Sequence, residues 1–434
     1  MTLGIQVQNY TECFYLDRGG KLAAYMRILM VSQFWTPEPF LKALPFAREL
    51  IRRGHEVEVL TGIPNYPGGA VYPGYKLTPF SREMIEGVRV NRVWLYPSHD
   101  GSGRRRILNY LSFAASAMIL GPWVTRRPDV IYVYHPPATA ALPAKWLSFL
   151  KRAPIVYDIQ DLWPDSVVGT GMMPRSLRGM LERYCRWIYR KMDHLVVLSP
   201  GFRRTLAARG VNEEKIDVIE NWCDEEALRP VPRDPELATE LGLEDGFTVL
   251  FAGTMGVYQG LDAVLDAAEL LYAAGDRVRF VFVGGGIERD RLIARASEIP
   301  TVQFLDRRPT EEMPALIAVA DALLVHLKNE PLFDITIPSK TQAYLYAGRP
   351  IVMAVRGDAA DIVREAEAGV LCEPEDPASI ADGIRRLVQL SSAERERLGQ
   401  NGAAYYFREM SLKRGANKFE AVFNRAVCVR RQNG

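Results

Sequence analysis

Phe247-Thr248-Val249-Leu250-Phe251-Ala252-Gly253-Thr254-Met255-Gly256-Val257-Tyr258-Gln259-Gly260 is the stretch on which the fold turns. The run Phe247 to Phe251 is a short apolar strand, continuous rather than alternating, as expected of a strand covered on both faces. The glycine-rich loop Ala252 to Gly260 follows, and the spacing then predicts a helix from Leu261 to about Ala274. Downstream, the strand Val278-Arg279-Phe280-Val281-Phe282-Val283 runs into Gly284-Gly285-Gly286, and Ala322-Leu323-Leu324-Val325-His326 is another strand. Gly369-Val370-Leu371 and a helix from Pro377 to about Leu390 complete the alternation. Strand–helix units of this length predict a parallel, doubly wound sheet, whose ligands sit beyond the carboxyl ends of the strands.

Within this half, Ile337-Pro338-Ser339-Lys340-Thr341-Gln342-Ala343-Tyr344-Leu345-Tyr346-Ala347-Gly348-Arg349-Pro350 reads as a short helix with marked ends. Ser339 is the expected N-cap, with Gln342 completing a capping box. Gly348 suits a left-handed C′ position, and Pro350 blocks continuation. Lys340 places a positive charge in the first turn, where the helix dipole disfavours it. An anion bound at that end would repay the cost; a solvated surface lysine is the plain alternative.

Toward the N-terminus the pattern repeats. Arg27 to Ser32, His55 to Leu60, Asp129 to Tyr134, Pro154 to Asp158 and His194 to Leu198 read as strands, with helices near 41–53 and 138–150 between them. The stretch Asn221 to Gly246, rich in Pro, Asp and Glu, reads as an interdomain linker. The expected organisation is therefore an extension over 1–25, unstructured and preceding a natural start at Met26. An N-terminal Rossmann-like domain over 27–221, a linker over 222–246 and a second Rossmann-like domain over 247–411 follow. A final helix over 412–429 is expected to return to the first domain. The fold class is α/β, two doubly wound domains facing a central cleft.

Composition is that of a globular chain: 48% hydrophobic, 24% charged and a net charge of +2, which argues against bulk nucleic-acid binding. Cys13, Cys185, Cys223, Cys372 and Cys428 are scattered without a Cys-x-x-Cys pair, as in a reducing compartment without disulfides or structural zinc. No Asp-x-Asp pair suits a divalent ion at a strand end, so no metal site and no cofactor are expected.

One segment departs from the pattern. Ile107 to Val124 carries no charge, with Arg104, Arg105 and Arg106 before it and Arg126 and Arg127 after it. Its length is near the lower limit of roughly 17 residues for a span. A buried helix of the sheet domain, a membrane-surface helix with arginines on anionic headgroups, and a transmembrane helix are the three readings. The last would have to leave the middle of a sheet domain.

The order of Gly253 to Gly260, Gly284-Gly285-Gly286, Pro338-Ser339-Lys340 and Gly348-Arg349-Pro350, with Asn221-Trp222-Cys223-Asp224 at the junction, resembles glycosyltransferase family 4. These are the retaining enzymes of the GT-B fold. The resemblance is to the subgroup acting on amino-sugar and deoxy-sugar nucleotides, such as L-fucosamine transferases, in O-antigen and capsule synthesis, and it spans residues 27 to about 430. It implies a nucleotide-sugar donor on the second domain, held by Gly253, Thr254, Gln259, Gly260, Gly284, Asn221, Ser339, Lys340 and Gln342. Lys340 would neutralise charge on the departing diphosphate, without metal, in a front-face mechanism. Many members have Arg and Lys where this chain has Thr254 and Gln259, which leaves more of the charge to Lys340. The family's ribose-binding glutamate falls at Ala343, with Gln342 as a substitute, and its Gly-Gly loop is replaced by Glu38-Pro39-Phe40.

On the acceptor side, Asp161 falls where many members carry a histidine and could orient or deprotonate an acceptor hydroxyl. It could equally order its own loop. His135 ends a strand and is a second catalytic candidate or a structural histidine. Phe34 and Trp163 are candidate stacking surfaces for the acceptor. The expected activity is transfer of a sugar to a lipid-linked saccharide in bacterial surface polysaccharide synthesis. The enzyme would be peripheral on the cytoplasmic face of the plasma membrane, through residues 104–127, with no nucleic-acid partner. A nucleotide-sugar 2-epimerase or hydrolase on the same fold, and a non-catalytic scaffold subunit, are the alternatives.

Overall fold

The computed structural model describes residues 25–40, 42–98, 103–165 and 178–432. The expected extension over 1–25 lies almost wholly outside the described residues. The strands are β1 (Arg27–Val31), β2 (Glu56–Gly62), β3 (Phe80–Ile85), β4 (Val88–Val93), β5 (Val130–His135), β6 (Ile155–Ile159), β7 (His194–Val197) and β8 (Ile216–Val218). After these come β9 (Phe247–Ala252), β10 (Val278–Val283), β11 (Val302–Leu305), β12 (Ala322–His326), β13 (Ile351–Ala354) and β14 (Gly369–Leu371). The helices used below are α1 (Ala43–Arg52), α2 (Gly103–Val124), α3 (Ala141–Lys151), α4 (Arg178–Lys191), α5 (Pro200–Ala208), α6 (Pro235–Glu240), α7 (Asp262–Ala273), α8 (Ser339–Ala347), α9 (Asp358–Glu365) and α10 (Leu412–Gln432).

The first sheet has the order β3-β4-β2-β1-β5-β6-β7-β8 and the second β11-β10-β9-β12-β13-β14. Pairing is parallel for β4-β2-β1-β5-β6 and throughout the second sheet, and antiparallel between β3 and β4, a hairpin turning at Glu86 (φ +47) and Gly87 (φ +83). In both sheets the central strands are apolar on both faces, and all five residues of β12 are buried. The strand order reverses beside β1 and beside β9, so the loops after these strands lie at switch points of the topology.

Two compact units result: residues up to Val196 with Lys418 onward, and Val197–Asn417. The division falls at the end of β7, upstream of the expected linker. Ser199 and Gly201 at the start of α5 bond within the second unit: Ser199 Oγ donates to Ile335 O (2.6 Å), and Gly201 N–H donates to Asp358 Oδ2 (2.6 Å). The linker stretch also carries a short helix of its own, α6, capped by Asp234 accepting from the Glu236 and Leu237 N–H groups. In the first unit, α10 packs Phe419 on Phe46 and Tyr132 (ring centroids 4.8 and 5.6 Å). Its Glu420 bonds to His55 Nε2 (2.7 Å) and Arg53 Nη1 (2.5 Å).

α2 is a packed helix of the first unit. Asn109, fully buried on it, accepts from Gln33 Nε2 (2.5 Å) and donates to Asn65 Oδ1 (3.1 Å) and Tyr96 O (2.7 Å). Its length and a mean hydropathy of 1.4 would allow a span. Those polar bonds instead hold it along the sheet unit, since lipid offers such groups no partners.

Candidate active site

Two charged side chains stand out because nothing among the described residues pairs with them: Lys340 in the second unit and Asp161 in the first.

Lys340 is set in place by its own helix. Four residues on and on the same helix face, Tyr344 accepts a hydrogen bond at its hydroxyl from Ala252 N–H (2.9 Å), which fixes α8 to the end of β9. Lys340 Nζ thereby lies 4.4 Å from the centroid of Phe251, a cation–π contact. A Cβ on Gly253 (φ +138) would stand 3.0 Å from that Nζ and 2.8 Å from Cε, so the glycine makes the room the ammonium occupies. Gly284 (φ +135) is required for a harder reason: a Cβ there would stand 2.2 Å from the carbonyl oxygen of Gly253. The two loops run backbone on backbone, with Gly253 N–H donating to Val283 O (2.9 Å) and Met255 N–H to Gly285 O (2.7 Å). Burial pushes the pKa of the Lys340 ammonium down to about 8. Such a group, beside a helix N-terminus and two glycine turns, has the charge and the N–H donors to hold an anion such as a diphosphate.

The other expected donor residues sit as follows. Thr254 is exposed in the loop. Gln259 Oε1 accepts from Gly256 N–H (3.1 Å), so the side chain shapes the loop through its oxygen and keeps its amide nitrogen as a donor. Gly260 is left-handed (φ +56) and closes the loop. Ser339 is exposed at the first turn of α8, and Asn221 is half-buried after β8. The expected capping box is absent: Pro338 is the N-cap, with no side-chain cap bond. Gln342 is buried, its Nε2 donating to Pro338 O (2.8 Å) and Ser339 O (3.1 Å), because the proline leaves those carbonyls as the nearest acceptors.

His326, the last residue of β12, was not singled out from the sequence. It is buried, and its Nε2 accepts from Glu375 N–H (3.1 Å), which leaves Nδ1–H to donate to Gln259 O (2.5 Å). Burial lowers its pKa, and the Gln259 carbonyl opposes that in part. It is a neutral bridge holding the glycine loop to the turn at Glu375. Its only signal was its place at a strand's carboxyl end, the same place that Gly253 and Gly284 follow.

In the first unit, Asp158 at the end of β6 is fully buried and fully engaged. Lys42 Nζ lies 2.8 Å from its Oδ2, Tyr132 Oη donates to the same oxygen (2.5 Å), and Gln160 Nε2 donates to Oδ1 (2.7 Å). This network fixes the turn that presents Asp161. Lys42→Met leaves a buried carboxylate without its cation, so urea denaturation is expected to show a loss of about 3–5 kcal/mol. An unchanged midpoint would contradict the ion pair's role.

Asp161 is exposed at the surface, yet the protein packed around it raises its carboxyl above the ordinary range. Its charge reaches the phenols of Tyr110, pushed up to about 12, and Tyr134, raised further; burial is the main cause for both. Trp163 is half-buried beside it.

Two expected site residues belong to the core. His135 has no exposed surface, neither ring nitrogen finds a partner among the described residues, and burial takes its pKa down to about 3. Its ring packs on Tyr157 and Trp163 (5.7 and 5.4 Å), which leaves no face for a substrate and no basicity to use. Phe34 is also buried, stacked on Phe40 at 5.0 Å. The half-buried rings Phe40, Tyr66 and Tyr134 form the accessible part of that cluster. Among the described residues no group of three or more His, Cys, Asp or Glu side chains is placed to hold a metal ion.

Comparison with known proteins gives a consistent result. Residues 43–222 match the model of a glycosyl transferase 4-like domain, and residues 246–390 match that of glycosyl transferases group 1. WcaI of Escherichia coli (strain K12), a glycosyl transferase named for colanic acid biosynthesis, is 29% identical over 79% of this chain and 86% of its own length. The alpha-galactosylglucosyldiacylglycerol synthase of Streptococcus pneumoniae (strain ATCC BAA-255 / R6) is 32% identical over 40% of this chain and 48% of its own. Among solved structures, Anabaena HepE in complex with UDP and glucose superposes with a TM-score of 0.64 at 18% identity, covering 91% of this chain and 98% of that one.

Proposed function

We propose, from the premise that the chain is a glycosyltransferase of the GT-B fold with a glycosyl transferase 4-like domain and a group 1 domain, that it transfers a sugar from a nucleotide-diphosphate donor to a lipid-linked saccharide. The observation that carries this reading is the unpaired ammonium of Lys340 against Gly253. The diphosphate lies along the Gly253 and Gly284 turns, takes N–H groups from the first turn of α8, and is charge-matched by Lys340. As the sugar–phosphate bond breaks, negative charge grows on the β-phosphate, and Lys340 stabilises it. Asp161 faces the acceptor, orients its hydroxyl and accepts its proton, and Phe40, Tyr66 and Tyr134 offer aromatic surface for the saccharide.

We take the transfer to be retaining by front-face attack, without metal or cofactor, as the resemblance to glycosyltransferase family 4 implies. WcaI's name, from colanic acid biosynthesis, supports a place in polysaccharide synthesis, which we take to be of the O-antigen and capsule kind, and the diacylglycerol synthase's name supports an acceptor carried on lipid. The enzyme then works peripherally at the cytoplasmic face of the plasma membrane.

Thermal shift against a panel of nucleoside diphosphates tests the donor site. One diphosphate is expected to raise the melting temperature by mass action. No shift with any diphosphate would sink the reading. Nucleotide sugars incubated without acceptor are expected to remain unchanged; rapid turnover there would point to epimerase or hydrolase chemistry instead.

A further inference from the structure

The first unit carries an outward-facing surface that the sugar-transfer chemistry does not use. On α2 the buried positions are Asn109, Phe113, Ala114, Ala117 and Gly121, one helical face. The opposite face exposes Leu108, Leu111, Met118, Ile119 (68%) and Trp123 (87%). The helix is apolar on both faces: Phe113, Ala114 and Ala117 turn into the protein around the polar Asn109, and larger aliphatic side chains and Trp123 turn out. α3 packs beside it, with Lys151 Nζ donating to Pro122 O (3.0 Å) and Thr125 O (2.8 Å). It exposes Trp146 and Phe149 (70%), stacked at 6.1 Å. α4 joins α3 through Lys145 Nζ, which donates to Lys191 O (3.1 Å). Arg183, Arg186, Trp187, Arg190 and Lys191 line an open groove along it.

Charge decides what this surface fits. Residues 103–124, 141–151 and 178–191 hold ten lysines and arginines against one carboxylate, Glu182. The whole chain carries only +2, so the remainder is net negative and the positive charge is concentrated here. An apolar protein partner would not need that excess, and a nucleic acid would not need exposed tryptophan, leucine and isoleucine side by side. A bilayer with anionic headgroups meets both: apolar side chains and indoles enter the headgroup–acyl boundary while arginines stay with the phosphates.

We propose that α2, α3 and α4 together form a docking surface for an anionic membrane. The inference deepens the peripheral location proposed above and rests on it. It widens the contact from the 104–127 segment to three helices and names α4 as the element that selects lipid charge.

Co-sedimentation of the full chain with vesicles tests it. Binding is expected to be at least tenfold tighter to phosphatidylcholine vesicles containing phosphatidylglycerol than to phosphatidylcholine alone. The triple change R183S/R186S/R190S should remove that preference, and W123S/F149S should weaken binding to both vesicle types at least tenfold. Thermal shift by the diphosphate should persist in every variant, which separates this surface from the donor site. Absence of vesicle binding, or equal binding to both compositions, overturns the proposal while leaving sugar transfer standing. So does a lipid-free dimer that W123S/F149S dissociates without changing vesicle binding, since the face would then belong to a second copy.

Discussion

Lys340→Met is expected to lower kcat/KM for sugar transfer by about 10²–10³-fold, the effect of removing a charge-stabilising group from a transfer site. The change should weaken diphosphate binding without unfolding the protein, because the ammonium makes no hydrogen bond or ion pair to another described residue. Its pH signature is specific. The folded-state pKa, about 8, lies below the ordinary 10.5. Between those two values the unfolded chain holds a proton that the folded one has lost, so this group makes the free protein more stable as pH rises. Diphosphate affinity moves the opposite way: the bound anion favours the charged form, so affinity falls as pH rises above 8, by up to about tenfold per unit. Lys340→Met should flatten both trends. Calorimetric titration and thermal melts across pH 7 to 10 measure them, and identical slopes in the two proteins would contradict the assignment.

Asp161→Asn is expected to lower kcat by about 10²–10⁴-fold, the range for loss of a general base, with donor affinity unchanged. Burial raises the carboxyl of Asp161, so the acid limb of the rate profile should lie above the ordinary carboxylate range, where protonation silences the base. The asparagine keeps the shape and removes the titration. A variant that retains near-full kcat would reduce Asp161 to ordering its loop.

How far the sequence carried the fold depended on burial. The central strands β1, β5, β9, β10 and β12 are buried on both faces, and a continuous apolar run marks such a strand directly. β3 and β11 went unread because they are sheet edges, where charged and half-buried residues replace the apolar run. β4 was hidden differently. Its buried Asn91 and Arg92 look like surface residues until Asn91 Nδ2 is seen donating to Glu58 Oε1 (2.9 Å) and Arg92 Nη1 to Gly62 O (3.1 Å).

The site divides along the same line. Lys340 was conspicuous because a lysine in a helix's first turn is locally unfavourable, and the glycines because backbone approach needs them. His135 and Phe34 were misplaced because a strand end is a poor guide to side-chain direction: both turn inward onto rings brought together only by the tertiary fold. Lys42, paired with Asp158 across more than a hundred residues, and His326, bridging Gln259 and Glu375, leave no local pattern at all.

A crystal structure with the preferred nucleoside diphosphate bound tests the central claim most directly. The account predicts a β-phosphate oxygen about 3 Å from Lys340 Nζ, within hydrogen-bonding reach, with the diphosphate against Gly253 and Gly284. A diphosphate bound elsewhere, with Lys340 still over Phe251 and no anion beside it, would contradict it.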